Sequence, residues 1–453
     1  MKKKTMVAAC LLGASMVAMS SCSGYILTMP QLRGGSLLAK PASTVERLTW
    51  DERREENYVS FLGKLDDFAG RFASTVYHSN QPSNSTGDNF CVSPVSMFAA
   101  LSLAAECAGG NTRIEILDTL GMSYEELASQ SMKLYRSLNV AHEGGGIVIG
   151  NQKTGELRFG NSIWLQKGFA VKQACADSLA ENFGCYSYQV DFKNNNRSAN
   201  KLISDFVKEQ TNGLIKKDYQ FSQDVVFTLI NSLYLKTIWN LNGRKLPVTE
   251  DTYLFKQYDG TTENTVLMRA DYEDGRPFDG DGFTSFYART YDGYKLKILL
   301  PDEGVNIDDV FTAENLSKMN SVKDYEAVDE EAMKIYYTRC LFPEYEASFD
   351  EDVRASLAEM GIDDLFSEAE CNLSALVENE QGVYCTGAQH TTKLTVDRVG
   401  IEGAAVTVIP GATSAGPPPY EKVYLDFVVD RAFGFVLTDS QNITLFSGIV
   451  KHL

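Results

Sequence analysis

Four histidines, His78, His142, His390 and His452, are the whole imidazole complement of this 453-residue chain, and the usual histidine chemistry finds no frame around them. A helical His-Glu-x-x-His pair, which would hold zinc and supply a general base, does not occur. Neither does a phosphate-cradling glycine loop ending in Lys-Ser/Thr, nor a Gly-x-Ser-x-Gly nucleophile turn. Asp279-Gly280-Asp281-Gly282 brings two carboxylates together, but without the ligand spacing of a calcium loop, so it reads as a tight turn. Spacing alone leaves a dispersed Ser-His-Asp triad open, and no residue points to one. No Cys-x-x-Cys occurs among the nine cysteines, so neither a zinc site nor a redox pair is indicated. No metal and no cofactor is expected.

What remains is chemistry done to the chain. From Thr395 to Pro419 a strand passes into small and β-branched residues (Gly400, Ile401, Glu402, Gly403, Ala404, Ala405, Val406, Thr407) and then into a loop of Pro, Gly, Ser, Ala and Thr. Loops of this length are usually irregular throughout; this one begins with side chains suited to the middle of a sheet. In a strand, alternate residues face opposite ways. Ile401, Gly403, Ala405 and Thr407 then share one face, small or apolar enough to bury. Glu402, Ala404 and Val406 share the other, where a charge meets water. The segment can be bait outside the protein and a strand inside it.

The elements that must position such a segment are legible upstream. Val59–Tyr77 has helical periodicity, with Leu62, Leu65, Phe68, Ala69 and Phe72 on one face. Ser93-Pro94 starts a second helix running to Cys107, with proline in its first turn. Thr112 caps a third that ends at Gly121, and Ser198–Gln210 is amphipathic and stops at Asn212-Gly213. Asp350–Met360 reads as another helix. Phe159–Leu165 is a strand, and Val225–Leu235 is a near-continuous apolar run, the mark of a strand buried on both faces. Tyr294–Leu300 alternates, and the C-terminus is a hairpin of Phe433–Leu437 and Ile443–Val450. Helices crowd the first third and strands the second half, an α+β arrangement.

The ends and the charge bound the rest. Residues 1–21 have a basic start (Lys2, Lys3, Lys4) and an apolar run from Met6 to Met19, too short to span a bilayer comfortably. Met19-Ser20-Ser21-Cys22 resembles a bacterial lipobox, which would make Cys22 a lipid anchor, and residues 22–57 read as anchor and tether. The expected localisation is the bacterial envelope, at the outer membrane or cell surface, with the periplasmic face left open. Residues 58–453 read as one domain, without an internal linker or repeat. Losing the signal's three lysines from 42 basic residues leaves 39 against 60 acidic ones, a net charge of −21. That disfavours nucleic acid and anionic lipid surfaces as partners. The membrane enters through the anchor only. Seven cysteines remain, an odd number, most expected to pack as small apolar residues.

Several segments together resemble the serpin family. They are Asn89-Phe90-Cys91-Val92-Ser93-Pro94-Val95-Ser96 followed by Gly110-Asn111-Thr112, Asn161-Ser162-Ile163-Trp164, Thr211-Asn212-Gly213-Leu214-Ile215 and Ile230-Asn231-Ser232-Leu233-Tyr234-Leu235-Lys236 with Trp239. Leu299-Leu300-Pro301-Asp302-Glu303-Gly304, Gly361-Ile362-Asp363-Asp364-Leu365-Phe366-Ser367, Asp430-Arg431-Ala432-Phe433-Gly434-Phe435 and Leu445-Phe446-Ser447-Gly448 complete the series. They run colinearly from about residue 60 to the end.

The resemblance implies an α+β fold with a large five-stranded central sheet, two smaller sheets, eight or nine helices and an exposed reactive-centre loop at about 398–423. It implies no enzyme but a monomeric suicide inhibitor of serine proteases, with some cysteine proteases as a further target class, that inserts its cleaved loop into the central sheet. The alternative is a non-inhibitory member acting as a binding or substrate-like protein. The residues carried over are the hinge Arg398 and Gly400–Thr407, a polar cluster of Ser93, Ser96, Asn231 and His390 where the sheet opens, and Trp239 at the point of loop entry. Family spacing puts the scissile bond at Ser414-Ala415, with any bond from Gly411 to Gly416 left open by the longer loop, and the small or uncharged side chains there imply an elastase-like or subtilisin-like target. Arg398 stands where the family usually has an acid and Ile401 where it has a hydroxyl residue. Pro410 lies in the segment that would become a strand, where it has no N–H to give the ladder.

Overall fold

The computed structural model describes residues 25–26, 35–42, 44–79, 88–143, 153–239, 244–321, 325, 327–379, 382–402 and 420–453. The strands that matter below are β1 (Ser36–Ala39), β2 (Phe90–Val92), β3 (Lys153–Gln166), β4 (Cys185–Val190), β5 (Phe227–Ile238), β6 (Phe283–Arg289) and β7 (Lys295–Pro301). They continue with β8 (Lys334–Phe342), β9 (Tyr345–Asp352), β10 (Gln389–Val396), β11 (Gly400–Glu402), β12 (Glu421–Val428), β13 (Phe433–Thr438) and β14 (Thr444–Val450). The longer helices are α1 (Glu56–Ser79), α2 (Pro94–Cys107), α3 (Gly110–Leu120), α4 (Tyr124–Ser137), α5 (Gln173–Phe183), α6 (Phe192–Gln210), α7 (Ala313–Ser321) and α8 (Arg354–Glu359), with a single helical turn at Ile307–Val310. The fold is α+β.

Five long strands form the central sheet in the order β9–β10–β5–β3–β4, with the short β11 between β10 and β5 and β1 along the outer edge of β4. A single strand pair, Ser348 with Phe90, joins this sheet to a second one ordered β2–β14–β13–β7–β6. A third, smaller sheet is built on β8, with β12 parallel to it on one side. Helix α2 lies under the central sheet. Thirteen of its fourteen residues are buried, so its apolar composition runs around the whole helix instead of forming a stripe. Helix α6 covers the other face, where Phe206 meets the stacked rings of Trp164 and Tyr188.

Two expectations need correcting. Asp350–Met360 is not one helix: Asp350, Glu351 and Asp352 belong to β9, and α8 starts only at Arg354. Alternation along β9 buries Tyr345, Ala347 and Phe349 and exposes the residues between them, so its polar end mimics a helix start. The stretch 22–57 is also more than a tether. Ser36–Ala39 adds a strand to β4, and Leu48 is buried. Arg136 of α4 holds the carbonyls of Glu46 and Arg47 at 2.9 and 3.1 Å and pairs with Glu52 at 2.6 Å. The signal residues and Cys22 lie outside the described residues.

Candidate functional site

Strand β10 presents His390, Thr392, Leu394 and Val396 to the interior and Thr391, Lys393 and Thr395 outward. That alternation sets His390 over the start of α2. Its Nε2 accepts the backbone N–H of Ser93 at 3.0 Å, which assigns the ring proton to Nδ1. Ser93 Oγ donates to Ser96 Oγ at 3.0 Å, one helical turn on. Rings of Phe72 and Phe349 flank the imidazole at 5.7 and 6.1 Å. Burial with no charged partner pushes His390 down to about 4, so the ring is neutral at physiological pH.

Asn231 lies across from this group on β5. It lines the same cavity, but its amide donates to Asn161 Oδ1 on β3, the residue directly opposite in register, and not to Ser93 or His390. Asn161 in turn donates to the Phe183 carbonyl at 2.8 Å. The buried Oδ1 of Asn231 has no hydrogen-bond partner among the described residues. So three members of the predicted cluster are bonded together and the fourth faces them with an open acceptor. Sequence reading missed Asn161 as its partner; the Asn161-Ser162-Ile163-Trp164 segment was visible, but only strand register puts residues 161 and 231 side by side.

Between β5 and β10 the sheet is open. The two strands run parallel and meet at one end in an isolated bridge, Phe227 with Cys385. At the other end β11 pairs antiparallel with both of them, Thr395 with Glu402 and Val396 with Ile401 on one side, Gly400 with Ile238 and Ile401 with Thr237 on the other. In the intervening length the described residues form no ladder. A cavity of about 60 Å³ occupies the gap. Ser93, Ser96 and Leu101 line it below the sheet and Val207, Ile215 and Tyr219 above. It is a slot through the sheet rather than a pocket on it.

The chain enters the slot through a tight reversal. Asp397 N–H donates to the Gly400 carbonyl at 3.0 Å, and Asp397 Oδ1 accepts the amides of Val399 and Gly400 at 2.7 and 3.0 Å, the side-chain mimicry of a turn that Asp provides. Gly400 is required by proximity: a Cβ there would sit 1.7 Å from the Thr237 carbonyl oxygen. Trp239 clamps the turn, its Nε1 donating to the Asp397 carbonyl at 2.6 Å and its backbone N–H to Val399 at 3.1 Å. Arg398 fills a fitted place. Its amide donates to Glu344 Oε1 and its Nε to the Leu246 carbonyl, both at 2.9 Å. Ile401 is fully buried. Glu402 turns outward, accepting from Tyr234 at 3.2 Å and lying 3.5 Å from Lys236 Nζ. Gly403, Ala404, Ala405, Val406, Thr407, Pro410, Ser414 and Ala415 lie outside the described residues. Sequence reading missed Asp397, which lies in the turn itself, and Glu344 and Leu246, which join the turn from two distant segments.

Among the described residues no cluster of histidine, cysteine or acid could hold a metal ion. Among the described residues six cysteines, Cys91, Cys107, Cys175, Cys185, Cys340 and Cys385, are buried free thiols, and Cys371 is partly exposed.

Comparison with known proteins agrees with this geometry. The sequence profile of the family described as Serpin (serine protease inhibitor) matches residues 66–453. Serpin-Z2A of Triticum aestivum is 26% identical over 401 residues, covering 85% of this chain and 94% of its own. Neuroserpin of Homo sapiens is 24% identical over 379 residues, covering 81% and 86%. Among solved structures, the thermophilic serpin tengpin in its native state superposes with a TM-score of 0.69 at 20% identity, covering 93% of this chain and all of its own. Arabidopsis AtSerpin1 in its native stressed conformation gives 0.68 at 21%, covering 87% and 98%.

Proposed function

The chain belongs to the serpin family, and from that premise we propose that it is a suicide inhibitor of serine proteases with a small primary pocket, elastase-like or subtilisin-like, attacked at Ser414-Ala415. The protease forms an acyl-enzyme with the loop. The cut loop then continues the strand that β11 begins, carrying the protease away from the side at which it docked. The protein turns over no substrate of its own. It acts as a monomer, with the protease as its partner.

One observation carries the reading: β11 is already paired on both sides at the mouth of an open slot. Continuing its register would bring Thr407 opposite His390 on β10 and Asn231 on β5. Thr407 shares the inward face of Ile401, so its hydroxyl would arrive beside the open Asn231 acceptor. Pro410 would fall opposite Gly387 and Thr228, beside the Phe227–Cys385 bridge that closes the slot. Its missing N–H therefore costs a bond at the strand's end, about 1 kcal/mol. The strand before it gains on the order of 10 backbone bonds at about 1 kcal/mol each. Insertion wins by that count.

Export and lipidation of Cys22, with attachment to the bacterial envelope, complete the proposal, supported by the basic start, apolar run and lipobox-like residues. In its native bacterial host, Cys22→Ser would move the protein from the membrane to the soluble fraction; unchanged fractionation would reject the anchor.

The deciding test is incubation of the domain downstream of Cys22 with a pancreatic-type elastase and with subtilisin. A denaturant-resistant adduct at the summed mass, with release of a C-terminal peptide beginning at Ala415, is expected. Cleavage without adduct and without a rise in thermal stability would instead favour the non-inhibitory reading, which Ile401 and Pro410 support; cleavage with a large rise would show that the loop inserts and point to a different target protease.

A further inference from the structure

The turn that leads into α1 holds a tryptophan out in solvent. Trp50 is 61% exposed, whereas the chain's other two tryptophans, Trp164 and Trp239, are buried. The turn itself is well fixed. Thr49 N–H donates to Glu52 Oε2 at 2.7 Å, and Glu52 N–H returns a bond to Thr49 Oγ1 at 3.2 Å. Arg136 of α4 grips the chain on both sides of Trp50, at the Glu46 and Arg47 carbonyls and at the Glu52 carboxylate. The Arg54 guanidinium lies 3.9 Å over the indole ring, and Val59, in the first turn of α1, is 52% exposed. One apolar side chain in water needs no explanation. A tryptophan braced there by an arginine and a doubly bonded turn needs an occupant.

The path of the chain names it. Tyr25–Ile26 pairs antiparallel with Thr44–Val45, Tyr25 opposite Val45. Cys22 lies three residue steps before Tyr25, a span of at most about 11 Å. Paired strands are about 5 Å apart, and the five steps from Val45 to Trp50 reach at most about 18 Å. Trp50 is therefore within about 34 Å of Cys22 along this path, on a domain about 55 Å across. A lipid on Cys22 would hold this end of the domain against the bilayer. Tryptophan favours the headgroup level, where its ring is apolar and its N–H wet. The charges suit a zwitterionic surface. Arg136 neutralises Glu52 and Lys133 neutralises Glu55, which leaves Glu46, Asp51 and Glu56 beside Arg47, Arg53 and Arg54. Stacking engages the flat face of the Arg54 guanidinium and leaves its in-plane N–H groups for a phosphate.

We propose that Trp50, Arg54 and Val59 form a membrane-contact patch that seats the domain on the phospholipid surface to which Cys22 ties it. The indole and the valine enter the headgroup layer, and Arg54 meets lipid phosphate. The acyl chains supply attachment. The patch supplies orientation: it stops the domain swivelling on its short leash and fixes which face an approaching protein meets. The inference rests on the lipid anchor proposed above and extends it, since the domain then touches the membrane as well as the anchor.

The test uses the full lipidated protein from its bacterial host, reconstituted in phosphatidylethanolamine–phosphatidylcholine vesicles with or without bromine near the headgroup end of the acyl chains. Intact mass first reports whether Cys22 is acylated. Trp164 and Trp239 are shielded, so brominated lipid reads Trp50 alone. Loss of the Trp50 share of the emission is expected, and none in Trp50→Phe. Hydrogen exchange at residues 49–59 should be slower on vesicles than in the Cys22→Ser protein. Trp50→Ser/Val59→Ser should restore the faster exchange while the protein still sediments with the vesicles. In acylated protein, emission insensitive to bromine together with exchange equal to that of Cys22→Ser would overturn the patch and leave the anchor standing. Protein without an acyl group would reject the anchor, and this inference with it.

Discussion

The two sides of the central α2–β10 region are built on opposite polar plans. On the side of β7, β13 and β14, a lysine that is 1% exposed, Lys297, donates to Asn320 O and Oδ1 at 3.1 and 2.6 Å and to Asn442 Oδ1 at 2.7 Å. Asn320 bonds onward to Asp66 of α1 and to Thr444 of β14. Helix, strand and hairpin are joined through Lys297, whose ammonium form has an acceptor for each of its three protons, while burial pushes the group down to about 7. On the slot side, His390 accepts one amide, Ser93 and Ser96 share one bond, and Asn231 keeps an open acceptor. Both regions bury polar groups, and both leave some without partners: Thr438 Oγ1 and Ser447 Oγ on the first side, Asn231 Oδ1 at the slot. The difference lies in the linkage: the Lys297 network ties helix, strand and hairpin together, whereas the slot-side groups are joined by single bonds, the weaker polar lattice of the two.

This contrast can be broken at three places. The largest effect on inhibition is expected from Gly400→Ala. Its Cβ overlaps a backbone carbonyl, which no rotamer relieves, so β11 leaves the sheet. Gel titration should show the inhibitor consumed per protease rising at least about tenfold, the equivalent of 1.4 kcal/mol. An unchanged ratio would mean that insertion does not start from β11.

Next comes Lys297→Met, which strands the side-chain oxygens of Asn320 and Asn442 and removes the cation nearest Asp66. Loss of about 2–4 kcal/mol in denaturant unfolding is expected, with the rise in melting temperature on loop cleavage preserved. If that rise disappeared, the two flanks would not be independent.

The smallest effect is His390 acting through pH. Its folded value, about 4, lies below the unfolded 6.5. Between those values the unfolded state binds more protons, so stability is lost as pH falls from 6.5 toward 4 and is unaffected by this group above 6.5. The ceiling is about 3 kcal/mol. Protonation also takes the lone pair that Ser93 uses, so spontaneous loop insertion should accelerate over the same range in the wild type, and His390→Gln should flatten that profile. A profile identical in both proteins would move the acid sensitivity to another group.

Legibility in the sequence followed the range of the interactions. Helices α1 and α2, strand β5 and the C-terminal hairpin carry their own periodicity, and each is present close to where the pattern sets it. Helix α4 has a good cap at Ser123 and acids in its first turn, yet was overlooked because its buried face mixes Gln130, Ser131 and Ser137 with Leu127 and Leu134. Strand β1 has almost no signal of its own: Leu37 is 48% exposed, and its order comes from pairing with β4, some 150 residues away in the chain. Lys297 sits in an alternating strand, Leu296, Ile298 and Leu300, whose pattern alone would turn it to solvent. It is buried because β7 is covered on both faces, which no local pattern reports. The site divides in the same way. Residue types at the turn and the slot are readable, whereas the acceptors that hold Arg398 and the mispaired Asn231 depend on register.

If the loop inserts as proposed, the reversal at Asp397–Gly400 has a kinetic consequence. Forming a new strand normally begins with a nucleation barrier, the ordering of a turn and its first pair before any later pair can compensate. Here that step is complete in the resting protein. Only propagation along a prepared track remains, and propagation is the fast part of such a process. The clock that matters to a cleaved loop would therefore be set by the length still to be laid down, competing against hydrolysis of the ester at its tip. The same head start leaves the uncut protein without a nucleation barrier of its own, so its resting state must persist by the difficulty of threading an unbroken chain.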